Sequence, residues 1–312
     1  MTNDNKPEQV YKRPPFASGG SPSKAVLFDM HRVWRIMDGA IDVHCHSGPE
    51  AYAARSANEL EMSLRACEAG LGAVVYKCHS TPSTRSAQLI QNVVNQWAKD
   101  HGKRKTDVFG GVVLNNSVGG LNPEAVVVNA RLDGKYVWLP TLDSVPDREW
   151  AKLPGGVEVF DAKGGVVEPL KQIFDLIAQT EMVLGLCHQK GKEQLVLLDE
   201  ARKAGVRRIE IVHPTYSIFK MSIDEMKVAV EKRAYLGIYS FSLNPNFDAD
   251  LILRVIKEIG PEFLVMGSDC GMYTGDSPVD GMRRLITWML QSGVPDKDVE
   301  RIAKANAREL LY

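Results

Sequence analysis

The sequence predicts one (β/α)8 TIM barrel, an α/β fold. Short apolar segments alternate with amphipathic helical segments eight times from about residue 40 onward. Those apolar segments are nearly continuous in hydrophobicity, as parallel strands covered on both faces are. Polar, titratable residues recur at their C-terminal ends, the face on which such barrels carry their sites. A doubly wound sheet would alternate too, but no Gly-x-Gly-x-x-Gly follows the first strand. At 312 residues the chain only modestly exceeds the ~250 such a barrel needs. We expect one domain over residues 23–312, preceded by a flexible arm over 1–22.

The arm is polar and rich in Pro and Gly, with no apolar core of a secretory signal. Residues 23–37 read as a helix leading into the barrel. AIDVHCH is the first strand, and SANELEMSLRACEAG the helix after it, ended by Gly70. GAVVYK is the second strand; the helix after it has Ser83 or Thr84 as its cap. VFGGVVL is the third, followed by a helix with Pro123 in its first turn and Gly134 after its end. YVWLPTL is the fourth strand. Residues 143–167 are less regular, and VEVF and GGVV in that stretch pattern as a small hairpin. PLKQIFDLIAQT is a helix. VLGLCH, RIEIVH, LGIYSFSL and EFLVMGSD supply strands five to eight, with amphipathic segments between them and two helices after the last.

Composition bounds the function. Hydrophobic residues are 44%, charged residues 25% and the formal net charge is -1, so no net field draws nucleic acid or an anionic membrane. No run approaches the ~20 apolar residues that cross a bilayer. Five cysteines without paired spacing point to a reducing cytoplasm and against a disulfide framework. A small-molecule substrate is the expected partner. A homo-oligomer, dimer or larger, is expected from the general prevalence of symmetric assemblies.

Of seven histidines, five (His44, His46, His79, His188 and His213) sit at or just past predicted strand ends. Side chains two apart on a strand share a face, so His44 and His46 can meet one cation. His188 and His213 end strands five and six, and Asp269 ends strand eight. Each alone reads as an ordinary hydrogen-bonded residue or a cap. Together they ring one rim with imidazole nitrogen and carboxylate oxygen, a donor set for a divalent first-row metal with an open position. Cys45, Cys78, Cys187 and Cys270 neighbour these positions. Strand alternation turns Cys45 away from the axis if His44 and His46 face it, so packing is the better reading. Lys77 and His79 share a face at the end of strand two. Lys77 reads as a substrate anchor, a carbamylated bridging ligand or half of an ion pair; His79 as a substrate contact, a ligand of a second metal or a hydrogen-bonding residue. Arg85, Lys190, Tyr216, Asn244 and Tyr273 fall on rim loops, where Arg85 and Lys190 suit an anion.

This ordered set, IDVHCH, His188, His213 and SDCG with Asp269, resembles the amidohydrolase superfamily from about Ala40 to Tyr312. The resemblance implies a first metal on His44, His46 and Asp269, and His188 and His213 on a second metal. In one-metal members His188 joins the first site and His213 turns to substrate or water. It further implies zinc above manganese or iron, one or two ions, and Asp269 as general base, with His213 and Lys77 assisting. The sequence departs from the family pattern at strand four, where LPTLDS carries no lysine at the tip. The expected activity is hydrolysis of a C–N or C–O bond (amide, cyclic amide, imide or lactone) in a small polar or anionic molecule. The alternatives are a metal-dependent decarboxylase or lyase, then a phosphoesterase or a non-catalytic ligand-binding barrel.

Overall fold

A computed structural model of the protein describes residues 30–245 and 247–312. The expected arm over 1–22, and the start of the helix expected from residue 23, lie outside them. Helix α1, Met30–Met37, leads into β1, Ile41–Cys45. Strand β2 is Ala73–Tyr76. Strand β3 is broken into Asp107–Phe109 and Gly111–Val113, and its first half pairs with β2. Its second half pairs with β4, Tyr136–Trp138. Strands β5 (Val183–Leu186), β6 (Ile209–Ile211), β7 (Tyr235–Tyr239) and β8 (Leu264–Gly267) follow, each parallel to the one before. The ring closes just past the end of β8. The Asp269 amide donates to the His44 carbonyl at 2.8 Å, and the His46 amide to the Cys270 carbonyl at 2.9 Å. These bonds carry the β8–β1 seam into the rim where the histidines lie.

The break in β3 has a steric cause. A Cβ on Gly110 would lie 2.5 Å from the Ser83 carbonyl carbon and oxygen, so the strand crosses that loop where no side chain fits. Ser83 itself differs from expectation. It precedes the helix Thr84–Asp100 without a side-chain cap bond; its hydroxyl instead donates to the Tyr76 carbonyl at 2.6 Å. The hairpin expected in 143–167 is reduced to a single antiparallel bridge, Phe160 to Val166. A short helix, Val145–Trp150, forms in that stretch, capped by Ser144 accepting from the Asp147 amide. The seventh strand ends at Tyr239, and the rest of its apolar run, Ser240–Leu243, is a 3-10 turn.

Amphipathic helices wrap the outside. Glu59–Glu68 begins with a reciprocal capping box between Asn58 and Glu61, and Ile223–Glu231 with one between Ser222 and Glu225. Both cores, inside the barrel and between barrel and helices, are apolar and buried. The inner wall below the rim also carries polar bulk. Tyr136 stacks on Trp138 at 4.6 Å, and Gly185 opens the space, since a Cβ there would meet the indole at 2.3 Å. Glu210, wholly buried, accepts from the Tyr136 hydroxyl at 2.9 Å and from the Tyr239 hydroxyl. No helix among the described residues is long and apolar enough to cross a membrane.

Candidate metal centre

His44 lies within β1; His46, His79, His188, His213 and Asp269 lie just beyond strand ends, and all five line one cavity of about 330 Å3 at the C-terminal face. His188, His213 and Asp269 have φ of 55°, 59° and 49°. This left-handed region is costly for residues with a Cβ. Three such backbones, at three separate strand ends, meet in one cavity, whereas Asp133, Lys152 and Arg233 adopt the same region away from it.

Donor atoms of His44, His46 and Asp269 all fall within 4.8 Å of one another. Asp269 Oδ1 lies 3.1 Å from His46 Nε2 and 3.5 Å from His44 Nε2. His46 Nδ1 sits 2.7 Å from the Lys77 carbonyl. A carbonyl only accepts, so Nδ1 carries the proton and Nε2 presents its lone pair. Burial holds the His46 imidazole below its ordinary pKa, so the ring is neutral near pH 7. Its lone pair therefore faces a carboxylate oxygen with nothing positive between them. Both His44 nitrogens are buried and have no hydrogen-bond partner. Two lone-pair donors and a carboxylate converging in a dry pocket call for a cation, so the residues present fit a divalent metal ion. Burial likewise depresses His44, His79, His188 and His213, which keeps the imidazoles in their ligating form. Burial pushes the Asp269 carboxyl up, but the imidazoles of His213 and His46 and the Lys77 amine together pull harder and hold it below the ordinary value.

His188 stands slightly apart. Its Nδ1 donates to Asp147 Oδ2 at 2.6 Å, and its Nε2 is buried without a partner. His213 Nε2 is 3.9 Å from Asp269 Oδ2. The two rings lie edge to face at 5.4 Å. His79 stacks on His46 at 5.0 Å while its Nδ1 meets the Thr141 hydroxyl at 2.8 Å. The Lys77 amine is buried without a hydrogen-bond partner, 5.9 Å from the Trp138 ring centre. The end of β4 carries that indole and no lysine.

The rim residues divide. Tyr216 lines the cavity. Asn244 lines an adjoining one and accepts from Arg284 at 3.3 Å. Arg85 lies on a separate groove beside the helix Pro123–Arg131. Lys190 is exposed and paired with Glu149 at 3.4 Å, and Tyr273 is 71% exposed; neither lines the cavity. The thiols are packing groups. All five are free and buried, Cys45 and Cys187 bond to the carbonyls of Val75 and Leu139, and burial pushes the Cys187 thiol up to about 12. Sequence reading missed Asp147, Arg55, Phe219 and Trp150, all of which line the cavity. Of these only Asp147 had a local signal, its place three residues after Ser144.

Solved structures share this fold. An amidohydrolase from Pseudomonas aeruginosa superposes with a TM-score of 0.58 at 13% identity, over 89% of this chain and 97% of its own. The probable dipeptidase PvdM from Pseudomonas aeruginosa gives 0.61 at 12%, over 90% and 97%. An amidohydrolase from Burkholderia multivorans with bound zinc gives 0.53 at 12%, over 87% and 98%. At these identities the likeness establishes the fold, the TIM barrel of amidohydrolases. No curated protein matches the chain. A family model described as a family of unknown function, DUF6282, matches residues 39–237, well over half of the chain, and the chain belongs to that family.

Proposed function

We propose that the protein is a metal-dependent hydrolase that cleaves a C–N or C–O bond of a small polar or anionic molecule. The observation that carries this reading is the unshielded convergence of His44 Nε2, His46 Nε2 and Asp269 Oδ1. His44, His46 and Asp269 would hold one divalent ion, zinc above manganese or iron. Such an ion supplies a Lewis acid that polarises a carbonyl and makes water acidic enough to lose a proton near neutral pH.

The chain's own groups do the rest. Asp269 Oδ2 is turned toward His213 at 3.9 Å and is placed to take a proton from water and return it to the leaving group. His213, neutral, offers a ring N–H to a developing oxyanion, and His188, also neutral, offers a lone pair to a donor on the substrate or the water. Asp147 fixes the His188 tautomer, with the proton on Nδ1 and the lone pair on Nε2. Lys77 and His79 form the wall beside His46, where Lys77 brings a donor to substrate oxygen. The stacked bulk of Tyr136 and Trp138 closes the barrel beneath and excludes water.

The test is metal analysis of protein purified without chelator, followed by a screen of lactones, cyclic amides and imides with the zinc-loaded enzyme. One ion per chain, and turnover that Asp269→Asn abolishes, is the expected result. A chain that retains no divalent ion, or an Asp269→Asn variant with full turnover, would sink the reading. Release of carbon dioxide in place of a hydrolysis product would favour the decarboxylase.

A further inference from the structure

Above its polar floor the cavity changes character. Tyr216 stacks on Phe219 at 5.5 Å, and Phe219 packs on the His188 ring at 4.5 Å. At the mouth, Tyr52, Leu142, Trp150 and Met272 are large apolar side chains left 51%, 38%, 68% and 39% exposed, and all four line this one cavity. Apolar groups exposed together around a polar site, rather than scattered, mark the surface that the body of a ligand covers.

Above Lys77 on the floor, a second cation interrupts this apolar wall. The Arg55 side chain is only 5% exposed, and it lines the same cavity. Its Nε is buried without a hydrogen-bond partner, and Nη1 reaches only the Met272 sulfur at 3.1 Å. The Glu50 carboxylate lies 3.7 Å away, and its oxygens are already engaged by the amides of Ala51 and His79 at 2.9 Å each. A guanidinium taken out of water and left with a sulfur and a long ion pair is costly unless something else uses its fork. A planar carboxylate fits that fork with two parallel hydrogen bonds.

We propose that Arg55 is a specificity-determining residue that binds the carboxylate of the substrate, and that the substrate's remaining body is aromatic or otherwise apolar. The apolar body lies against Tyr216, Phe219 and the mouth residues, which leaves the bond to be cut over His44, His46 and Asp269. The assignment of a bond to be cut rests on the hydrolase reading above; the recognition of an apolar carboxylate by Arg55 does not.

The experiment is calorimetric titration of the zinc-loaded full chain with three probes: phenylacetate, its neutral amide phenylacetamide, and acetate. The wild type is expected to bind phenylacetate at least tenfold more tightly than either of the others. Arg55→Gln is expected to lose that preference for the acid over the amide. Arg55→Lys keeps charge and stem without the fork, and is expected to retain only part of it. Equal binding of acid and amide by the wild type overturns the proposal without any variant. An acid preference that survives intact in Arg55→Gln, or in Arg55→Lys if the first variant fails to fold, overturns it too, because the carboxylate then sits elsewhere, on the metal or on Lys77. Zinc content measured on the same samples separates the two ideas: a chain without zinc that still discriminates through Arg55 defeats the hydrolase reading alone.

Discussion

Asp147 Oδ2 accepts a hydrogen bond from His188 Nδ1 at 2.6 Å, although the two residues arise from different loops of the rim. The same carboxylate oxygen takes the Ser144 hydroxyl at 2.7 Å, so the helix Val145–Trp150 begins on the group that orients the imidazole. A partner of this kind sets the ring's direction and tautomer, and its loss commonly costs 10–100-fold in activity or metal affinity. Asp147→Ala is therefore expected to lower kcat/KM by about 10–100-fold on whichever substrate the screen identifies. Zinc bound by His44, His46 and Asp269 should stay at one per chain. Kinetics paired with metal analysis checks both, and unchanged kcat/KM would remove His188 from the site.

Replacing Asp269 tests the centre through stability rather than turnover. An ion that binds only the folded chain raises its melting temperature by mass action. Zinc is expected to raise the melting temperature of the wild type and to do so far less for Asp269→Asn. Asparagine tolerates the left-handed φ of 49° at this position, so the metal-free variant folds and supplies its own baseline. Calorimetric scans of both proteins with and without zinc settle the point; an equal zinc shift in the two would exclude Asp269 as a ligand.

The strand-end histidines were legible because a barrel converts sequence order into a ring: His44, His46, His188, His213 and Asp269 end β1, β5, β6 and β8, and parallel strands open onto one face. Alternation also turned Cys45 toward the packing, where its thiol bonds to the Val75 carbonyl. What could not be read depended on loop paths. Arg85 and Lys190 follow strands as the site residues do, yet Arg85 lies not on a loop but in the first turn of the helix Thr84–Asp100, on a separate groove, and Lys190, at the cap of the helix Gly191–Lys203, sits in an exposed ion pair. Arg55 gave no signal, because it lies in an irregular loop held against the rim by an isolated bridge to Met272 and by the backbone bonds of Ser56 to Gly271 and of Tyr273 to Ala54. The left-handed backbones of His188, His213 and Asp269 were invisible for another reason: His and Asp enter that region more often than most residues but seldom in absolute terms, so residue type does not locate it. Glu210 was read as part of an apolar strand, and it is the hydroxyls of Tyr136 on β4 and Tyr239 on β7 that make its burial tolerable.

Glu210 gives a prediction in pH. Burial pushes its carboxyl up to about 7, against the lowering effects of the Tyr239 and Tyr136 hydroxyls and of Lys77. The folded chain thus holds this proton more tightly than the unfolded chain, where the ordinary value is about 4.5. The stability it contributes is full below that ordinary value and is lost as pH rises through 7. Glutamine does not titrate, so the stability of the wild type relative to Glu210→Gln should fall by on the order of 2 kcal/mol between pH 5 and pH 8. Urea unfolding of both proteins across that range measures it, and parallel curves would show that Glu210 is ionised throughout.

Asn115 ties the rim loops to one another, and its removal should be felt in the fold. The side chain is buried. Its oxygen accepts from the Thr141 amide at 2.8 Å, and its nitrogen donates to the His79 carbonyl and to the Thr141 hydroxyl, both at 3.0 Å. Truncation leaves a buried amide and a buried carbonyl without partners, at about 1–3 kcal/mol each. Asn115→Ala is expected to destabilise by roughly 2–4 kcal/mol in urea unfolding. Asn115→Asp keeps the acceptor for Thr141 but turns a carboxylate oxygen toward the His79 carbonyl, so it should be destabilising as well, and more so at pH 7 than at pH 4. Because the Thr141 hydroxyl also meets His79 Nδ1 at 2.8 Å, both variants should loosen His79. A loss below about 0.5 kcal/mol, the range of an ordinary surface change, would mean that the rim loops hold their places without this bridge.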